Sequence, residues 1–366
     1  MVVVRSSVKQ RFDRGSVSRR AGSIARDGRR RHAPFDVGVP PIEVALPGRT
    51  LGTSLARVAL VRTGADRDDR VELLHSLAAA AHARVEWNEP AGAANAAVAR
   101  ALMESDAVVV DTLPALGAGA RALLPRFHSI VGAPSAFGSA VAPCSTRRTD
   151  LLLVGAIAAG AAAWERSVRL AFEWARSEGR SSVHCAVRDP GWPILASERA
   201  SRFRRIAAEH PNLEARSGSF QDARRRLHCE PHAFETLVAD AGDFDPLVRA
   251  ACAGVGWSNR VPWILVGDQR ALVIVGTAAE RSRCAATGET TVAIANATVR
   301  MLRRLGEVGA AQRLAEALRA ELAIRLEATG DLWLDLASET PARFADAIRA
   351  RLAASAAPYI GKNDVN

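Results

Sequence analysis

The sequence predicts an α/β protein whose sheet is largely parallel and buried between helices. Short apolar runs rich in Val, Leu and Ala alternate with amphipathic stretches of helical period along most of the chain. Runs that are apolar on both faces are typical of strands covered by helices on both sides. With 366 residues, 48% of them hydrophobic, the chain is long enough for one large domain or two ordinary ones.

The predicted strands are short apolar runs that begin near residue 42. In order they cover residues 42–46, 59–62, 107–111, 151–154, 182–187, 235–239 and 272–275. Valine and isoleucine are common in several of these runs, and β-branched side chains favour extended backbone.

The predicted helices carry apolar residues at every third or fourth position. They cover residues 69–83, 166–180, 197–209, 290–305, 310–328 and 342–354. In the first helix Val71, Leu74 and Leu77 share one face. Gly179 ends the second helix and Gly306 separates the fourth from the fifth, because glycine accepts the left-handed backbone common at helix ends.

The positive charge of the chain is concentrated at its N-terminus. Of the net charge of +10, residues 1–32 carry +8, from ten basic side chains against Asp13 and Asp27, which leaves +2 for the rest. We therefore expect residues 1–37 to be a disordered basic arm. Three origins stay open for it: an organelle transit peptide, an arm that binds anions or nucleic acid, and translation from upstream of the real start codon.

No apolar run is suited to a membrane. The longest, residues 151–164, is mostly alanine and glycine and is too short to span a bilayer. We expect a soluble cytoplasmic protein with no membrane partner, or a mitochondrial matrix protein if residues 1–37 are a transit peptide.

Several short motifs in the second half of the chain occur in a fixed order. They occupy residues 166–175, 211–214, 221–223, 231–238, 242–243, 276–280, 299–306 and 330–332. In this order and spacing the chain resembles the isocitrate/isopropylmalate dehydrogenase family, firmly from residue 165 onward and weakly before it. Enzymes of this family use NAD(P) and a divalent metal to oxidise a 2-hydroxy acid and then decarboxylate it.

The resemblance implies a two-domain α/β fold of the isopropylmalate dehydrogenase type. A discontinuous large domain would combine residues 40–118 with 250–357, and a smaller central domain would cover residues 119–249. Residues 358–366 would form a tail. An intersubunit clasp of the family is missing here, because Trp164 and Glu165 follow almost at once after the position of the family's tyrosine.

The resemblance also places the family's proton-transfer groups, and this chain lacks both. Arg188 falls at the position of the family's lysine, and Ala162 at that of its tyrosine. A guanidinium is effectively always protonated and cannot act as a general base, and a methyl group cannot donate a proton. Gly155 falls at the position of an arginine that binds the substrate.

Part of the family's metal and nucleotide sites is kept in the sequence. Asp222 and Asp243 match two metal-binding carboxylates, and Asp245 stands near the third position, which is Leu247. The resemblance implies Mg²⁺ or Mn²⁺ bound by these aspartates. Around the glycine turn, the residues implied to bind NAD(P) are Gly276, Thr277, Ala278, Glu280 and Thr290. The lost groups leave open that the chain binds no cofactor.

Three functions follow as hypotheses. The first is a catalytically silent homologue that acts as a regulatory or structural subunit, in a homo-oligomer or beside an active paralogue. The second is a divergent metal-dependent oxidoreductase or decarboxylase that acts on a 2-hydroxy acid through Asp222, Asp243 and Asp245, with Arg188 holding the anionic substrate. The third is an anion-binding protein that works through its basic arm. Whether the chain is an enzyme at all is open from the sequence.

Overall fold

The structure is a computed structural model. It describes residues 55–61, 69–90, 94–112, 124–137, 148–158, 160–188, 193–255, 261–268, 270–276 and 288–356. The predicted basic arm, the predicted strand at 42–46 and the predicted tail lie outside the described residues.

Twelve β-strands lie in the part of the chain that the structure describes. They are β1 (Ala56–Val61), β2 (Val85–Asn88), β3 (Ala107–Thr112), β4 (Phe127–Gly132), β5 (Ser135–Phe137), β6 (Arg148–Asp150), β7 (Leu152–Ala156), β8 (Ser182–Val187), β9 (Glu214–Ser219), β10 (Thr236–Ala239), β11 (Trp263–Gly267) and β12 (Ala271–Gly276). Strand β8 has the predicted bounds, and the other strands predicted within the described residues differ by one to three residues at their ends.

Ten α-helices lie in the same described ranges. They are α1 (Asp69–Ala80), α2 (Ala94–Glu104), α3 (Ala161–Ser177), α4 (Pro193–Ala207), α5 (Phe220–Cys229), α6 (Phe244–Val255), α7 (Gly288–Arg304), α8 (Val308–Thr329), α9 (Leu332–Ser338) and α10 (Pro341–Ala356). All six predicted helices are present. Helix α3 begins five residues earlier than predicted, because its alanine-rich first turn carries no amphipathic pattern.

Ten of the strands form one mixed sheet. Their order is β2-β1-β3-β12-β11-β4-β7-β10-β8-β9, and β5 pairs with β6 in a separate ribbon. Six of the pairings in the large sheet are parallel. The other three are antiparallel and lie together at the centre, where β11 pairs with β12 and β4, and β4 pairs with β7. The predicted α/β class is confirmed, with an antiparallel centre that the sequence did not indicate.

Both faces of the sheet are covered. On one face Val58, Val109 and Val154 lie in a large apolar cluster with residues of α1, α3, α7, α8 and α10. On the opposite face Val108 packs with α2, and Leu153 packs with α5 and α6. Burial on both faces explains why these strands are apolar throughout rather than alternating. The predicted inner face of α1 is confirmed, since its valine and leucines are fully buried.

A buried group of charges joins the C-terminal end of α3 to α7. Glu178 accepts hydrogen bonds from Arg180 at 2.8 Å and from Arg300 at 2.9 Å, and Arg303 lies 3.8 Å away. Burial by itself raises the pKa of Glu178, but the guanidinium groups of Arg300, Arg180 and Arg303 outweigh it and lower that pKa to about 2. The carboxylate is therefore ionised in the folded protein at any ordinary pH.

A second buried titratable group lies at the centre of the sheet. His128 on β4 contacts Ser129 through Nδ1 at 2.7 Å, and the hydroxyls of Ser129 and Ser167 are 2.8 Å apart. Burial lowers the pKa of His128 to about 4, although the charge of Asp268 acts in the opposite direction. The imidazole is therefore neutral when the protein is folded at pH 7.

The predicted division into two domains at residues 118 and 249 stays a prediction. Both predicted parts contribute strands to the large sheet, which is continuous through the pairing of β4 with β11. None of the helices that the structure describes is long and apolar enough to cross a membrane.

Candidate functional site

Parallel strands bring several charged residues to one edge of the sheet. Strands β7, β10 and β8 are adjacent and parallel, so their carboxyl ends lie side by side. Arg188 directly follows β8, and Asp240 directly follows β10. A tight turn then leads to Asp243 and to Phe244, whose backbone N–H groups both donate to the Asp240 carbonyl, at 2.9 and 3.2 Å. In open α/β sheets this edge is where ligands usually bind.

The centre of this edge is an ion pair between Arg188 and Asp243. Nε of Arg188 donates to Oδ1 of Asp243 at 2.7 Å, and Nη2 contacts the same oxygen. The aspartate side chain is only 3% exposed, whereas the arginine side chain is 53% exposed. The hydrogen bond and the charge of Asp243 raise the pKa of Arg188. The guanidinium thus covers a buried carboxylate from the solvent side, and it lies 4.9 Å from the centre of the Phe220 ring.

A second pair stands beside the first. Oδ2 of Asp240 pairs with Arg199 of helix α4, whose guanidinium lies 5.9 Å from the ring of Trp164. The other carboxylate oxygen, Oδ1, is buried and has no hydrogen-bond partner in the part of the chain that the structure describes. Two aspartates and two arginines therefore balance one another at the carboxyl ends of β8 and β10.

Phe244 fills the space in front of β7. Its side chain is buried and packs on Trp263, with ring centres 6.0 Å apart. A Cβ atom added to Gly155 would lie 2.6 Å from Cδ2 and 2.7 Å from Cβ of Phe244, closer than real Cβ contacts ever come. Gly155 therefore leaves no room for any side chain, because Phe244 already occupies that volume.

The other predicted metal ligands lie on helix surfaces with arginine partners. Asp222, in the first turn of α5, pairs with Arg225 at 2.8 Å, and Asp245, in the first turn of α6, pairs with Arg249 at 2.8 Å. Within the described ranges, no three His, Cys, Asp or Glu side chains are grouped so that they could hold a metal ion. Since Asp243 is bound by Arg188 as well, the residues as placed do not fit a divalent cation.

The predicted nucleotide site is described only at its borders. Gly276 ends strand β12, and Thr277, Ala278 and Glu280 lie outside the described residues. Thr290 is in the first turn of α7, where it is buried and its hydroxyl has no hydrogen-bond partner within the described ranges. Of the residues predicted to bind NAD(P), the structure thus describes Gly276 and Thr290.

No side chain that could move a proton stands at the two positions implied for that role. Ala162 lies exposed in the first turn of α3, directly after β7. Arg188 is committed to Asp243. The arrangement can hold a buried carboxylate and can contact an anion through the exposed part of the guanidinium, but it contains no general base at the arginine.

Sequence reasoning missed Asp240 with its partner Arg199, and Phe244. Asp240 ends an apolar strand, and a polar residue in that position is a usable indication of a site in an α/β sheet. Phe244 carries no such indication, because a buried aromatic residue at the start of an amphipathic helix is ordinary packing.

Comparison with known proteins supports the resemblance. No protein-family model matches this chain. Over 170 residues, 46% of the chain, it is 29% identical to the isocitrate dehydrogenase [NADP] of Thermus thermophilus. That segment amounts to 34% of the relative, so the chain spans only about a third of the length of the curated relative it matches.

Two solved structures share the fold. The TT0538 protein of Thermus thermophilus superposes with a TM-score of 0.62 at 22% identity, over 83% of this chain and 70% of that one. Isocitrate dehydrogenase from Methylococcus capsulatus superposes with a TM-score of 0.62 at 19% identity, over 81% of this chain and 99% of that one. The chain is therefore isocitrate/isopropylmalate dehydrogenase-like, in sequence over 46% of its length and in fold over more than 80% of it.

Proposed function

We propose that this protein is a catalytically silent homologue of NAD(P)- and metal-dependent decarboxylating 2-hydroxy-acid dehydrogenases, and that it acts as a regulatory or structural subunit. The observation that carries the proposal is the packing of Phe244 against Gly155, which leaves no space for a side chain at position 155. The homology to isocitrate dehydrogenase supports the decarboxylating dehydrogenase family as its origin.

The chain has lost a contact to a substrate carboxylate. The family resemblance puts an arginine at Gly155, and planar, bidentate hydrogen bonding by a guanidinium is what selects carboxylates. Here Phe244 fills the space into which any side chain at this position would extend. A single reversion of Gly155 to arginine could not restore the contact, because the ring and its helix stand in the way.

The chain also lacks the groups that would transfer protons. Oxidation of a hydroxyl group needs a base, and protonation of an enolate after loss of CO₂ needs an acid. Arg188 replaces the lysine and is bound to Asp243, and Ala162 replaces the tyrosine. Because the substrate contact and both proton-transfer groups are missing together, we infer that the chain has kept the scaffold and lost the reaction.

The scaffold can still assemble. A folded subunit without turnover can act by packing against other subunits, and closed symmetric arrangements are usual among soluble oligomers. We propose assembly into a homo-oligomer or with an active paralogue. NAD(P) binding is compatible with this role, since a bound nucleotide could stabilise the subunit without being reduced.

The test is a turnover assay of the full chain with isocitrate and isopropylmalate, with NAD⁺ and NADP⁺, and with Mg²⁺ or Mn²⁺. Isocitrate dehydrogenase from Methylococcus capsulatus serves as the active control. We expect no reduction of either nucleotide above the level given by heat-inactivated protein.

Turnover that disappears in Asp243→Asn would contradict the proposal and would favour the divergent metal-dependent oxidoreductase. Turnover that survives Asp243→Asn would indicate a contaminating enzyme instead. Deletion of residues 1–37 tests the anion-binding arm separately, because binding of the full chain to a heparin column would then be lost while the fold remained intact.

A further inference from the structure

We infer that Arg188 is a built-in counter-cation for the Asp240–Asp243 turn, so that the turn takes no divalent cation, and that removing this arginine creates a divalent-cation site. The inference deepens the proposed function and rests on it, because a silent site has no need of an exchangeable metal. It concerns binding and stability alone and can be tested without substrate.

The need for a cation follows from the burial of Asp243. Its side chain is 3% exposed, and a buried carboxylate without a partner is strongly disfavoured. Arg188 meets that need with two N–H groups on the same oxygen, Oδ1. The arginine comes from the end of a neighbouring strand, so the pair depends on the tertiary fold rather than on spacing within one helix.

The oxygen atoms around Arg188 are of the kind that Mg²⁺ and Mn²⁺ prefer. Asp240 lies in the same tight turn as Asp243, whose backbone N–H donates to the Asp240 carbonyl at 2.9 Å. Oδ1 of Asp240 is buried and has no hydrogen-bond partner among the residues that the structure describes. Magnesium is commonly held by one or two carboxylates, with water molecules completing its coordination.

The charge balance decides which cation the turn holds. With Arg188 and Arg199 present, the two aspartates are neutralised, and a divalent cation would have to enter against two guanidinium groups. Without Arg188 the turn carries a net negative charge, and the oxygens of Asp243 become free to bind a metal. Substitution of Arg188 is therefore expected to replace the fixed positive charge of the guanidinium with a divalent cation that binds reversibly.

The arginines that pair with the other predicted metal ligands, unlike Arg188, do not cover a buried carboxylate. Arg249 pairs with Asp245 within one helix, and both side chains are largely exposed. Pairs of this kind contribute little, and their loss leaves a carboxylate that water solvates. Arg249→Met is therefore the matched control: it frees an aspartate two residues from Asp243 without uncovering a buried charge.

The experiment compares the full-length wild type with Arg188→Met and Arg249→Met. Binding of Mn²⁺ is measured by the loss of the free-ion signal in electron paramagnetic resonance, and melting temperature is measured in EDTA and in Mn²⁺. We expect neither binding nor a Mn²⁺-dependent shift for the wild type and Arg249→Met. Arg188→Met is expected to bind Mn²⁺. In EDTA its melting temperature should lie several degrees below that of the wild type, and Mn²⁺ should restore most of this difference.

Two results would overturn the inference. One is Mn²⁺ binding by the wild type that Asp243→Asn abolishes, and the other is failure of Arg188→Met to bind Mn²⁺. If Arg188→Met does not fold without metal, its refolding yield from denaturant with and without Mn²⁺ provides the same comparison. Reduction of a nucleotide by the wild type would refute the proposed function. The Mn²⁺-binding results test the role of Arg188 separately, because they do not depend on turnover.

Discussion

The contact between Gly155 and Phe244 can be tested by adding a single methyl group. In Gly155→Ala the new Cβ would lie 2.6, 2.7 and 2.8 Å from Cδ2, Cβ and Cγ of Phe244, whereas ordinary contacts begin at 3.4 Å. The phenylalanine must therefore move by roughly 0.7 Å, and because its own Cβ is involved, the start of α6 must move with it. Overpacking of this kind costs about 1–3 kcal/mol.

Gly132→Ala is the matched control, because it approaches the same ring from the neighbouring strand. Its Cβ would lie 3.4 Å from Cζ of Phe244, at the edge of ordinary contact. Both variants gain equally from a less flexible unfolded chain, by about 0.4–1 kcal/mol, so their difference isolates the clash. In guanidinium chloride we expect Gly155→Ala to unfold at clearly lower denaturant than Gly132→Ala. Equal midpoints for the two variants would refute the reasoning.

Three further predictions concern stability. Glu178→Gln should lower the free energy of unfolding by about 3 kcal/mol at pH 7, because folding lowers the pKa of this carboxyl group to about 2. For the same reason the wild type should lose that stability as the pH falls from about 4.5 to about 2. A variant as stable as the wild type at pH 7 would contradict this. His128→Asn should flatten the stability curve between about pH 6.5 and 4, where the wild type loses stability because burial lowers the pKa of the imidazole to about 4; parallel curves for the two proteins would reject it. Gly330→Ala should cost about 1 kcal/mol in chemical denaturation, because φ is 71° at this helix end. Gly309→Ala, inside the helix that Gly330 ends, should instead stabilise the protein by roughly 0.5–1 kcal/mol. If both substitutions changed the stability in the same direction, the positive φ of Gly330 would not be the cause of its effect.

The elements that the sequence predicted are those with a clear apolar pattern. Strand β8 is buried over its first five residues, and its bounds were predicted without error. Strand β9 was missed because all but one of its residues are exposed and it contains no large apolar side chain, so only pairing with β8 makes it a strand. The antiparallel centre was also missed, since strand direction depends on how the chain returns to the sheet and not on local composition.

At the candidate site, too, single residues could be singled out from the local sequence, but contacts between distant residues could not. Arg188 and Asp243 were each singled out from motifs, but their pairing joins residues 55 positions apart and depends on β8 and β10 being neighbours. Phe244 was overlooked because its importance lies in the volume it takes from Gly155. Sequence motifs singled out the candidate positions, and the packing shows which space and which partners each of them has.

The strand order also bears on how the chain is made. Among the strands that the structure describes, β1, β2 and β3 come first, but β12, which pairs with β3, is synthesised only after the whole β4–β11 region. Helix α7, which packs on β12 and on α1, comes later still. A growing polypeptide must therefore leave the ribosome with apolar strand surface uncovered for most of its synthesis, a situation in which chaperones are usually needed. Loss of the last helix, α10, by truncation should expose the apolar faces of α1, α7 and α8, on which it packs.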